Sequence, residues 1–95
     1  MYARNVTVRI KSEQLDEAIQ TWKDTVAPSV RQQKGLVSVH LLVDRANSSL
    51  RSIGFWETEA DLQGSVRWNQ GQLDKFTTFF AAPPVVELFE VAAGA

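Results

Sequence analysis

Apolar and polar residues alternate along Leu36–Val43, with Val37, Val39, Leu41 and Val43 on one side and Ser38, His40 and Leu42 on the other. The alternation resumes in Leu50–Trp56, where Ile53 and Phe55 oppose Ser52, Gly54 and Trp56. A period of two with β-branched residues predicts half-buried strands. The polar stretch Asp44–Ser49 between the two runs predicts the turn of a long hairpin. Upstream, Tyr2–Ile10 predicts a first strand, with Val6, Val8 and Ile10 sharing a face with Arg4, and Asn5 and Thr7 on the other. Ser12 offers a helix N-cap, and Leu15, Ala18, Ile19, Trp22 and Val26 then recur at helical spacing. Pro28 should kink or divide that helix, which ends at Lys34-Gly35. Downstream, Thr58 caps a second helix with the stripe Leu62, Val66, Asn69, Leu73, Phe76 and Phe80. Gly71 is expected to break it, leaving a shorter helical piece over Gln72–Phe80. After Pro83-Pro84, Val85–Val91 predicts the last strand.

The order is β-α-β-β-α-β in one domain spanning residues 1–95. With right-handed crossovers it folds as an α+β, ferredoxin-like, four-stranded antiparallel sheet with both helices on one face. The helix-facing side takes the valines and isoleucines of the strands, together with Phe55 and Leu88. The other side carries His40, Leu42, Trp56 and Phe89 among polar neighbours. Aromatic and aliphatic groups on a bare sheet face call for a partner, and a two-fold dimer needs only one such patch.

Composition then removes several functions. The 95 residues carry a net charge of −1, so nothing favours nucleic acid or an anionic membrane. No RNP-like aromatic pattern is present either. There is no cysteine and a single histidine, so neither a disulfide framework nor an all-protein metal site is expected. No apolar run approaches membrane-spanning length, and the N-terminus enters a strand pattern without a leader-like segment. A cytoplasmic protein is the expectation.

Gly35-Leu36, the Asp44 turn, the junction Phe55-Trp56-Glu57-Thr58-Glu59-Ala60-Asp61-Leu62 and the closing Val86-Glu87-Leu88-Phe89-Glu90-Val91 resemble the antibiotic-biosynthesis-monooxygenase domain, a dimeric α/β-barrel family. The resemblance covers nearly the whole chain. It implies a homodimer joined through the sheet face, and a pocket for a small aromatic ligand between sheet and helices in each subunit. It implies either a cofactor-independent monooxygenase on an aromatic or polyketide-like substrate, or a binding or accessory protein without turnover. The haem-degrading branch has an Asn on its first strand, which Asn5 roughly matches, but its Trp and His positions fall near Ser65 and Lys75. The quinone-forming branch has an Asn one turn before a Trp, plus a Tyr. Gly64 precedes Trp68 here, and the sole tyrosine is Tyr2. Neither set is complete, so no catalytic residue, metal or cofactor is assigned.

Five residues are candidates for ligand binding. Asn69 interrupts an apolar stripe, so its amide is either a ligand partner or a cap for the turn before Gly71. Trp68 lies off the stripe and would line a pocket mouth or a rim. Trp22 sits on the core stripe. Arg4 shares the helix-facing side and could meet an anion; Asn5 would replace it if the first strand bulged. His40, Leu42, Trp56 and Phe89 are the dimer-interface candidates.

Overall fold

The structure is a computed structural model describing residues 1–95. Its strands are β1 (Tyr2–Arg9), β2 (Leu36–Asp44), β3 (Ser49–Trp56) and β4 (Val85–Glu90). They form one antiparallel sheet in the order β2-β3-β1-β4. The helical layer covers one face with α1 (Leu15–Thr21), α2 (Ala27–Ser29), α3 (Glu59–Gly64) and α4 (Val66–Asp74). This is the α+β, β-α-β-β-α-β arrangement expected from the sequence. The core lies between the layers, where Val6, Val8, Ile10, Leu15, Ala18 and Leu50 are buried together.

The expected first helix is distorted at Pro28 but not broken, its backbone staying helical from α1 through α2. Proline lacks an N–H, and its ring presses on the carbonyl four residues back. The turn before it widens into a π-helical stretch over Trp22–Val26, in which the Ala27 N–H reaches back to the Trp22 carbonyl. Ser12 makes no capping bond; Ser12–Gln14 is a separate 3-10 turn.

The second helix breaks at Ser65, not at Gly71. The α4 helix runs through Gly71 without interruption. At the break, the Leu62 carbonyl accepts from the Ser65 N–H at 3.1 Å, from Ser65 Oγ at 2.6 Å and from Arg4 Nη2 at 3.1 Å. A carbonyl engaged by a distant guanidinium and by a local hydroxyl is drawn out of the regular helical ladder. The break resets the helix phase. Val66, placed inside by the sequence stripe, is exposed, and Trp68 turns inward.

The phase of β3 is also reversed. Register places Val43 opposite Leu50, Leu41 opposite Ser52 and Val39 opposite Gly54. Leu50 is 2% exposed and fixes its side as the helix-facing one. Ser52, Gly54 and Trp56 therefore face the helices, and Ile53 and Phe55 face away. Large apolar groups occupy both sides of this strand, so alternation alone does not decide its phase. A bulge between Leu36 and Ser38 turns Val37 outward and brings Leu36 opposite Trp56.

The entry to β2 depends on Gly35, which has φ +76°. A Cβ there would overlap the Asp61 side chain, coming within 2.7 Å of Asp61 Cβ. The Asp61 backbone, and with it Cβ, is held at the start of α3, where the Asp61 N–H donates to Thr58 Oγ1 at 3.1 Å. Gly35→Ala is expected to destabilise the fold by at least about 2 kcal/mol, the sum of left-handed strain and overpacking. A urea titration would show this as a lower midpoint at unchanged slope. A loss below about 0.5 kcal/mol would mean the turn relaxes freely.

Candidate functional site

Between the sheet and the helices lies a cavity of about 70 Å³. At about 10–15 Å³ per water it holds roughly five to seven waters, the space of one or two aromatic rings. Strands β1, β2 and β3 supply Val6, Val8, Leu36, Val39, Leu41 and Leu50 to its floor. Trp22 and Val26 come from the π-helical stretch, and Trp68, Asn69, Leu73 and Phe76 from α4 and the turn after it.

Arg4, on the central strand β1, is the one ionisable side chain in this wall. It is only 6% exposed and has no carboxylate partner. Its Nη2 donates to Leu62 O and to Ser65 Oγ, the latter at 2.7 Å. Its guanidinium carbon stands 5.7 Å from the Trp56 ring centroid. Both of its hydrogen bonds leave from Nη2, so Nε and Nη1 have no protein acceptor. Burial pulls the guanidinium below its usual pKa by desolvating the charge. Burying an ion without a counter-charge costs on the order of several kcal/mol before compensation. Here two hydrogen bonds and an aromatic face offset part of that cost.

Trp56 is 1% exposed, and its Nε1–H has no hydrogen-bond acceptor. Its ring meets Trp68 edge to face, with centroids 6.1 Å apart at 75°. Trp68 is pinned in turn, because its Nε1 donates to Ser29 Oγ at 3.1 Å just after Pro28. Trp56 also borders a second, polar cleft of about 360 Å³ beside Lys34 and Asp61, which Ser65 lines as well.

The structure thus brings Arg4, Trp22, Trp68 and Asn69 to one cavity. Asn69 does not cap a turn before Gly71; it lies inside α4, where its N–H donates to Ser65 O. Asn5 does not reach the cavity. It projects from the opposite sheet face, where Nδ2 donates to Thr7 Oγ1 and Glu87 Oε1, both at 3.3 Å. The first strand has no bulge, so strict alternation excludes Asn5 once Arg4 is inside. Trp56 leaves the open face for the cavity wall because β3 has the reversed phase. His40, Leu42 and Phe89 stand on the open face with Ile53 and Phe55. Sequence reasoning missed Ser65 and Gly54. A lone glycine in a strand run was the available signal for Gly54; nothing local marks Ser65, whose partner lies 61 residues away.

Residues 1–80 match the family described as antibiotic biosynthesis monooxygenase. The chain belongs to this family. Among curated relatives, the uncharacterized protein Rv2557 of Mycobacterium tuberculosis (strain ATCC 25618 / H37Rv) is 32% identical over 93 residues, covering 98% of this chain and 42% of that protein. The uncharacterized protein Rv2558 of the same strain is 30% identical, covering 97% and 39%. The chain therefore spans less than half the length of these relatives. Among solved structures, the NE2512 protein of unknown function from Nitrosomonas europaea superposes with a TM-score of 0.82 at 18% identity, covering 99% of this chain and 91% of that one. A monooxygenase from Streptomyces coelicolor, from the gene ActVA-Orf6 and in complex with Nanaomycin D, gives a TM-score of 0.81 at 12% identity, covering 99% and 89%. At these identities the likeness is one of fold. The family thus accounts for the architecture around the Arg4 cavity.

Proposed function

We propose that this chain is a cofactor-independent monooxygenase acting on a small aromatic phenol. The observation that carries the reading is the cavity itself: an apolar, tryptophan-walled space of about 70 Å³ with one buried, unpaired cation in its wall. Such a site holds a flat ring and favours its ionised form. An electron-rich phenolate is itself the reductant. A phenol with a free para position can give up four electrons to dioxygen. One oxygen atom enters as a quinone carbonyl, the other leaves as water, and the two displaced hydrogens go to that water. No external reductant is needed for this balance. The family membership and the structural likeness to a monooxygenase support the reading. The volume points to one- or two-ring substrates; a larger polyketide-like molecule would require the helical wall to move outward.

The second part of the proposal is a homodimer through the open sheet face. Leu42 is 47% and Phe89 52% exposed, and β4 is exposed on both of its sides. Asn5 on the same face is 7% exposed with its Oδ1 unpartnered. A covering copy would remove apolar surface from water.

The enzyme reading is tested with an oxygen electrode and a panel of simple phenols, naphthols and hydroquinones. Oxygen uptake above the uncatalysed rate that falls at least tenfold in Asn69→Ala is expected. No uptake with any member of the panel would contradict it, and stoichiometric binding with the phenol recovered unchanged would favour a binding protein instead.

A further inference from the structure

Three features meet at one corner of the cavity, and register is what brings them there. Arg4 on β1 lies directly opposite Gly54 on β3, and Trp56 follows Gly54 by two residues on the same face. Arg4 contributes a buried cation with two nitrogens unspent. Trp56 contributes a buried N–H with no acceptor. Leaving a buried donor unpaired is destabilising, a cost a bound acceptor would remove.

Gly54 leaves room for one more carbon-sized atom. Its side faces the cavity, yet packing does not demand glycine. A Cβ there would meet Trp56 Nε1 at 3.6 Å, Leu36 Cδ1 at 3.7 Å and Val39 Cγ2 at 3.9 Å, all ordinary contacts. Glycine inside a strand is otherwise destabilising against alanine. A strand glycine without a steric reason marks a place where something else approaches the backbone, and here that place adjoins the unpaired N–H.

We infer that the Arg4–Gly54–Trp56 corner is the subsite for the ionised oxygen of a phenolic ligand, with the guanidinium holding its charge and Trp56 Nε1 donating to that oxygen or a neighbouring one. The inference rests on the aromatic-ligand reading above and adds how the ligand is oriented. The ring extends from this corner toward Trp22, Trp68 and Phe76, so the carbon para to the oxygen lies at the helical wall.

The test is equilibrium binding of 4-nitrophenol, a one-ring probe that is yellow only when ionised and is not consumed by oxygen. Titrated with pH in the presence of excess protein, the bound dye is expected to ionise at least about one pH unit lower than the free dye, a tenfold preference for the anion. Gly54→Ala should keep its circular dichroism spectrum and melt no lower than the unaltered protein while binding the dye at least tenfold more weakly. Arg4→Gln should abolish the shift in ionisation, and Trp56→Phe should weaken binding at least threefold. An unshifted bound dye, no binding at millimolar dye, or equal affinity in a folded Gly54→Ala would overturn the inference. Oxygen uptake with a phenol alongside an unshifted dye would sink this corner and leave the oxygenase standing. A dye held as expected, with no uptake by any phenol, would do the reverse.

Discussion

Trp56→Ala is expected to destabilise the chain by about 3–5 kcal/mol, the range for truncating a fully buried large aromatic. The ring is 1% exposed, packs edge to face on Trp68 and supports the Arg4 guanidinium with its face. Removing it opens a void beside a buried charge and takes away the aromatic face that helps offset that charge. For a domain of this size, such a loss lowers Tm by more than about 10 °C. The loss should also be independent of protein concentration, because the ring is buried within one subunit. This distinguishes the observed position from an interface position, where destabilisation would grow with dilution. Thermal melts at two concentrations a hundredfold apart make the measurement. A loss under about 1 kcal/mol, or one that depends on dilution, would place Trp56 at a subunit contact instead.

Phe89→Asp should act in the opposite way. Its side chain is half exposed in the subunit, so the fold of one chain should tolerate the change within about 0.5 kcal/mol. In the dimer the ring would be covered. Fully burying a phenylalanine contributes roughly 1.5–3 kcal/mol, about half of which is at stake here, and two-fold symmetry counts it twice. A carboxylate brought to an apolar face adds its desolvation to that loss. Together these terms should weaken dimerisation at least a hundredfold. Light scattering or sedimentation should then find the 10.6 kDa chain as a monomer at micromolar concentration, where the unaltered protein is expected to be a dimer. A dimer that survives Phe89→Asp unchanged, or a native chain that is monomeric throughout, would remove the sheet-face interface from the account.

How far the sequence could be read follows from where its information is local. The order of elements was legible because each strand and helix carries its own periodicity and punctuation: Gly35, Thr58 and Pro83-Pro84 sit where elements stop or start. The inward position of Arg4 was legible because Val6 and Val8 set the phase of β1. The phase of β3 was not. Leu50 and Trp56 compete with Ile53 and Phe55 for the core, and only the pairing with β2 settles which pair wins. The break at Ser65 was equally hidden, since it is built with a guanidinium from the other end of the chain. Gly71, a sound local expectation for that break, meets no neighbour that would require it to act as one. The site suffered most, because Trp56, Gly54 and Ser65 depend on those two non-local facts. Arg4, Trp22, Trp68 and Asn69 could be named without them.

The central claim is that the Arg4 cavity converts a phenol with dioxygen as the oxidant. The measurement that tests it most directly is mass spectrometry of the product formed from 1-naphthol under ¹⁸O₂. The expected product is a 1,4-naphthoquinone carrying one heavy oxygen from the gas, with the substrate's own oxygen retained and the second heavy atom in water. Naphthol recovered unchanged, or a quinone whose new oxygen came from solvent, would contradict it.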